Sequence, residues 1–503
     1  MFGLSLETQM LCAFGLPFVG AVAIMLCHRK PDLREAVTLT TAVVLALLVW
    51  GLLGPVSQGA RPEARLIEIL PGLALAFKVE PLGLLFALVA SSLWIVNSVY
   101  SIGYMRAHEE PRQTTFYVCF AIAIGSAIGL AFSANLISLF LFYELLTLST
   151  YPLVTHNADA KAIRGGRIYL IILVGTSMLL LLPAIVATSV LAGTTEFKAG
   201  GILPPDLDPM MIGILLGLFA FGIGKAALMP IHFWLPSAMV APTPVSALLH
   251  AVAVVKAGVF TVLKVVVYVF GVEALSKSGA NDWLIVASSA SLVLASLVAL
   301  TKDNLKARLA YSTVSQLAYV VLAASLATPA GIIAGSMQIA MHAVGKITLF
   351  FCAGAIYVAT HKTEISELDG LGRAMPWTFT AFLVGSLSII GLPPFGGMWT
   401  KWWLILGALD AHQVFVVWVL LLSSLLNVLY LLPIFIRAMF SPARKALSVG
   451  AAAAEHHEPE EGLERKYWLV VLPPCVTAFL CFVMFFLSGP IVDLIKPITI
   501  VTP

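Results

Sequence analysis

Of 503 residues, 60% are hydrophobic and 11% charged, with a mean hydropathy of +0.98; an ordinary soluble domain carries about 25% charged residues, so this chain lacks the polar side chains to cover a soluble surface. A net charge of +3, with no basic cluster carrying interleaved aromatics, excludes a nucleic-acid binder. Six cysteines (Cys12, Cys27, Cys119, Cys352, Cys475, Cys481) lie scattered through apolar runs without CxxC or metal-ligand spacing, which argues against iron–sulfur or zinc centres.

Apolar runs of about 20 residues, enough to span a bilayer core, recur from end to end and predict an all-α polytopic membrane protein. About fourteen spans are expected, at 8–27, 35–53, 81–104, 113–132, 134–156, 168–192, 209–240, 242–270, 283–300, 309–328, 331–360, 376–409, 411–436 and 467–489. Met1 to Cys27 has no basic leading segment and is interrupted by Glu7, so it reads as a retained first span rather than a cleaved signal. The first three helices occupy 1–112, and two five-helix sets follow at 113–270 and 283–436. Each set contains a broken helix. Pro230 and Pro236 interrupt the seventh span, and Pro393, Pro394, Gly396 and Gly397 interrupt the twelfth. The breaks lie five spans apart, an odd number, so the second set crosses in the opposite sense; many transporters use such an inverted repeat. A polar loop at 437–466 precedes the last helix in 467–503, and its His456 and His457 read as part of a solvated linker rather than a metal site.

Lys and Arg placement sets the orientation. The odd-numbered loops hold eighteen basic residues against six in the even loops and the C-terminal tail, which puts the odd loops in the cytoplasm and both termini outside.

Five lysines, Lys225, Lys256, Lys264, Lys346 and Lys401, fall inside predicted spans, together with Glu144, His250 and His342. An ionisable group at mid-membrane costs about 3 kcal/mol or more by insertion scales. So many in one chain imply an internal polar axis. Glu144 is the sole clearly intramembrane acid by this reading, and Lys225 is its expected partner; a Glu–Lys pair that opens and closes would switch the lysine between holding and releasing a proton. The alternative is a fixed packing ion pair, and such pairs are often no more stabilising than apolar residues. Lys225 lies little more than one turn before Pro230, whose freed carbonyl should admit water, and Lys401 stands beside its own break. His342 and Lys346, four apart, share a helix face. His250 and Lys256, six apart, flank the same axis from different faces, and histidine can relay protons near neutral pH. Lys264, nearer the outer end, is expected to snorkel. No nucleotide loop, Ser-His-Asp signature, haem or flavin fingerprint is present, so no cofactor and no metal are expected.

The segments "FYELLTLSTYPLV", "GKAALMPIHFWLPSAMVAPTPVSALLHAVAVVKAG", "LKARLAYSTVSQLAY", "HAVGKITLFFCAGAI" and "GLPPFGGMWTKW" resemble the antiporter-like membrane subunits shared by respiratory complex I, membrane-bound hydrogenases and Mrp-type multisubunit cation/proton antiporters. The similarity covers most of the chain. It implies fourteen helices, two inverted five-helix repeats and discontinuous helices 7 and 12. It also places the family's helix-5 glutamate on Glu144, the helix-7 lysine on Lys225, the helix-8 pair on His250 and Lys256, the helix-11 pair on His342 and Lys346, and the helix-12 gating residue on Lys401. Some complex I members have glutamate at the last position. Lysine there, and the lack of a long C-terminal extension, make the chain most similar to the Mrp D subunit. The resemblance implies a proton-translocating subunit of an Mrp-type Na⁺/H⁺ antiporter in a bacterial inner membrane, beside other membrane subunits. The alternative is the proton-pumping arm of a complex I-like or hydrogenase complex; a passive scaffold would need no buried lysines. Hard cations prefer oxygen ligands, and one buried acid offers sodium or potassium few, so protons are the expected cargo of this chain.

Overall fold

Each predicted span has a helical counterpart in the computed structural model, which describes residues 3–70, 73–442 and 463–499 and, within them, all side chains except those of residues 69, 70, 73, 249 and 250. Ten helices are long and apolar enough to cross a bilayer. They are Leu6–Leu26, Pro31–Ser57, Pro81–Ala107, Gln113–Ala131, Leu136–Val154, Ala160–Ala192, Asp282–Thr301, Pro329–Thr360, Val414–Phe440 and Leu463–Phe486. The other four expected spans are helical but broken, bent or more polar. The seventh is Pro209–Gly222 followed by Ile231–Val240, and the twelfth is Pro376–Ile390 followed by Gly397–Asp410. The eighth runs through Val254–Phe270 and bends by 82° into Val272–Ser278. The tenth, Leu305–Ser325, stays regular while carrying Ser312, Thr313, Ser315 and Gln316.

Local chemistry fixes the ends. Proline opens Pro31–Gly51, Pro81–Ala107, Pro209–Gly222, Pro329–Thr360 and Pro376–Ile390 at the position where its missing N–H costs nothing. Asn135, Asp159, Asn304 and Thr328 cap the next turn with their side-chain oxygens. Several expected boundaries move, two of them past clusters of basic residues. The sixth helix starts at Ala160 and the tenth at Leu305, so Lys161, Arg164, Arg167, Lys306 and Arg308 stand near helix starts rather than in loops.

The sequence reading missed an antiparallel hairpin, Glu63–Leu70 with Leu73–Lys78, between the second and third spans. It also missed a short final helix, Ser488–Thr499. His456 and His457 lie outside the described residues. Pro329–Thr360 occupies the centre, buried on every side and packed by the third, twelfth and fourteenth spans and by the helices around Lys256 and Ser312.

Candidate proton-conducting site

The seventh span stops at Gly222, and Lys225 sits in a single 3₁₀ turn, Gly224–Ala226, closed by Ala227 in the left-handed region (φ 52°). The break therefore begins at the lysine and not at Pro230. Gly258 of the eighth span packs straight onto it; a Cβ there would collide with the Lys225 carbonyl carbon and the Ala226 nitrogen. Two of the backbone groups that the break frees are met by side chains. Trp234 Nε1 donates to the Gly224 carbonyl (2.9 Å), and the Lys225 N–H donates to the Tyr143 hydroxyl (3.0 Å).

The Lys225 side chain is fully buried. Its amine donates to the Tyr143 carbonyl (2.9 Å) and the Thr147 hydroxyl (2.5 Å), and lies 3.2 Å from the centre of the Tyr143 ring. Tyr143 and Thr147, four apart, present one face of Leu136–Val154, and Glu144 is turned about 100° from Tyr143. Glu144 is half-buried, with Oε1 enclosed and unpartnered. Glu144 and Lys225 thus meet at the same turn without closing an ion pair. The structure holds the expected pair open.

In the other half, the fully buried Lys256 amine touches His342 Nδ1 at 2.5 Å, joining the eighth and eleventh spans directly. His250 falls in a π-helical segment, Leu248–Val252, so the regular-helix angle expected between it and Lys256 does not hold; its side chain lies outside those described. One turn beyond His342, Lys346 donates to Ser312 Oγ (2.8 Å) on the tenth span. The Tyr430 hydroxyl lies 3.0 Å from the same Ser312 oxygen and donates to Asn427 Oδ1 (2.5 Å). Gln338 Nε2 donates to Gln316 Oε1 (2.8 Å).

Lys401 lies past the Pro393–Pro394 break and reaches back across it. Its amine donates to the carbonyl of Ile390, the last residue of Pro376–Ile390, and to Ser424 Oγ (2.6 and 2.7 Å). A cation at a helix C-terminus answers carbonyls that the helix leaves free, and Gly391 in the left-handed region (φ 85°) makes the sharp stop possible. Gln316, Gln338, His342, Ser388 and Lys401 share the lining of a cavity of about 10 Å³, close to the room one water needs.

The expected site residues are contributed by five spans, and their surroundings include groups that sequence reasoning did not assign: Ser312, Gln316, Gln338, Ser424, Asn427 and Tyr430. Spacing held part of this signal. Ser312 with Gln316, four apart, and Ser424 with Asn427, three apart, are polar pairs in apolar helices. Two expectations fail. Lys264 does not snorkel; its side chain is 1% exposed and 3.4 Å from Glu80 Oε2. Glu80, whose side chain is 7% exposed, is accordingly a buried acid that the reading of Glu144 as the sole intramembrane acid left out. It was missed because it stands at a predicted span boundary.

Chemically, all four central amines, on Lys225, Lys256, Lys346 and Lys401, rest on neutral oxygen or nitrogen atoms, and none forms an ion pair among the described residues. Such an amine can lose a proton without stranding a contacting carboxylate. Residues 133–427 match the family model for the NADH:quinone oxidoreductase/Mrp antiporter membrane region. The chain belongs to this family. It is 32% identical to NAD(P)H-quinone oxidoreductase chain 5 of Synechocystis sp., over 77% of this chain and 59% of that protein. It is also 32% identical to a probable K⁺/H⁺ antiporter A/B component of Rhizobium meliloti, over 79% of this chain and 40% of that one. The chain thus spans about half the length of these relatives. Its fold matches a chain of the Mrp complex from Dietzia sp. with a TM-score of 0.85, at 20% identity and covering 99% and 97% of the two chains.

Proposed function

We propose that this protein is the proton-translocating subunit of an Mrp-type Na⁺/H⁺ antiporter, acting among other membrane subunits in a bacterial inner membrane. The observation that carries this reading is the 2.5 Å contact between Lys256 Nζ and His342 Nδ1. It joins two buried titratable groups on different spans, with Lys225 and Glu144 on one side and Lys346 and Lys401 on the other. A protonated Lys256 donates to Nδ1 and leaves the other ring nitrogen to carry the imidazole proton; transfer along the contact moves the charge from one helix to the next. Glu144 is the switch partner, drawing the Lys225 amine from Thr147 when the pair closes. His250, on the π-helical segment, extends the row.

The two-repeat organisation over 113–270 and 283–436 has support in a recurring capping device. Asn135 caps the fifth span and bridges to Glu196; Asn304, five spans later, caps the tenth and bridges to Glu364. An odd number of spans between the two devices supports the opposite sense of the second set. The Lys/Arg bias supports outside placement of both termini.

Similarity to a quinone oxidoreductase chain favours a second reading, the proton-pumping arm of a redox complex. Purification with partners separates the two: small antiporter subunits support the first, and hydrogenase or quinone-reductase subunits the second. Conduction itself is tested by Glu144→Ala and Lys225→Ala in vesicles of the assembled complex. Both should lose proton flux, and unchanged flux in both would overturn the proposal.

A further inference from the structure

A second set of ionisable side chains lies apart from the central row. Lys264 stands eight residues beyond Lys256 on the helix Val254–Val265, about 12 Å further along it. Its amine donates to the Ser133 carbonyl (2.6 Å), faces the Phe197 ring at 4.5 Å and lies 3.4 Å from Glu80 Oε2. The buried Tyr268 hydroxyl lies beside the same carboxylate. From Glu80 the charges lead outward. Lys78 is two residues away along extended backbone, and its amine is 3.7 Å from Glu63 Oε2. Side-chain exposure falls inward in order: 41% at Glu63, 29% at Lys78, 7% at Glu80 and 1% at Lys264. Arg61 is the other nearby charge; its guanidinium is held by the carbonyls of Val56 and Ala60.

A purely architectural pair explains this poorly. A buried ion pair often stabilises a fold no better than apolar packing would, and this pair stands at the inner end of a graded row of charges that leads to the surface. We infer that Glu80 and Lys264, with Lys78 and Glu63 outside them, form a proton port connecting the central amines to the water beside the hairpin, the extracytoplasmic face by the charge bias. In the transfer step the Lys264 ammonium gives one proton to the Glu80 carboxylate, leaving a neutral amine and a neutral acid. The acid then releases that proton to water at the Lys78–Glu63 edge, and the amine is recharged from the side of Lys256. Tyr268 stands ready to donate to the carboxylate once Lys264 is neutral. This inference rests on the reading of the central row as a proton path.

The decisive variant is Lys264→Arg, because arginine keeps the cation beside Glu80 but does not release its proton. A structural role is rescued by arginine; a relay is not. Proton flux in vesicles of the assembled complex should fall roughly a hundredfold or more, the usual worth of a positioned acid–base group, with assembly unchanged. Wild-type flux in Lys264→Arg overturns the port. If arginine prevents assembly, Glu80→Gln keeps the shape and removes the titration, and the same flux criterion applies. Independently of flux, infrared titration of the full-length protein should show a protonated-carboxyl band that Glu80→Gln lacks; an identical band in that variant also overturns the port. Lys225→Ala, run alongside, distinguishes the failures: if it conducts normally the central path is wrong, whereas loss there with normal flux in Lys264→Arg sinks the port alone.

Discussion

Replacing Thr147 with valine removes one hydroxyl and nearly preserves shape, at a site where donor and acceptor are both fully buried. The Lys225 amine now divides its hydrogen bonds between that hydroxyl (2.5 Å) and the Tyr143 carbonyl (2.9 Å), so the variant removes one of two anchors of the open arrangement. A hydrogen bond to a charged group contributes about 1.5–3 kcal/mol. Glu144 makes no contact with the amine in the open state, so the loss falls on that state and not on the closed pair. At about 1.4 kcal/mol per tenfold, the balance shifts roughly 10- to 150-fold toward Lys225 closed on Glu144. A lysine trapped there holds its proton, and proton flux in vesicles should fall by about that factor. Thermal stability of the purified protein should change little, because the closed pair replaces the lost bond. Thr147→Ser restores the hydroxyl and should restore flux. Wild-type flux in Thr147→Val, or a loss that serine does not rescue, would refute the open–closed argument.

Gly258→Ala pushes a methyl group into the backbone at Lys225 and Ala226, an overpacking cost of about 1–3 kcal/mol; a melting temperature equal to wild type would show that the break is not held by this approach. Tyr430→Phe removes the hydroxyl beside Ser312 and Asn427, leaving buried polar atoms unpaired at about 1–3 kcal/mol, and should lower both stability and flux by loosening the Ser312 acceptor of Lys346. Glu110, half-buried in the loop after the third span, lines a cavity of about 230 Å³, and burial pushes its carboxyl above the ordinary range. A carboxyl raised in the folded state stabilises the fold below its unfolded pKa and loses that contribution as pH rises through the folded value. Glu110→Gln should therefore melt higher than wild type at neutral pH and converge with it in acid; a difference independent of pH would contradict this.

Sequence alone determined the membrane class, the positions of the spans, the two interrupted helices and the identity of the central amines. Hydropathy and proline act locally, and a lysine in an apolar run is visible without knowing its neighbours. Where the signal was local but unread, as in the alternating residues of Glu63–Leu70 and Leu73–Lys78, the hairpin escaped because the surrounding apolar runs dominate. Partners were another matter. Lys256 touches His342 across 86 residues of chain, Lys225 settles on Thr147 rather than Glu144, and Lys264 turns inward to Glu80 instead of outward to solvent. Those choices depend on which helix faces which, and helix rotation is set by close packing such as that of Gly258 on the seventh-span break. Tertiary structure decided the circuit because a hydrogen bond joins atoms about 3 Å apart in space, however far apart they lie along the chain.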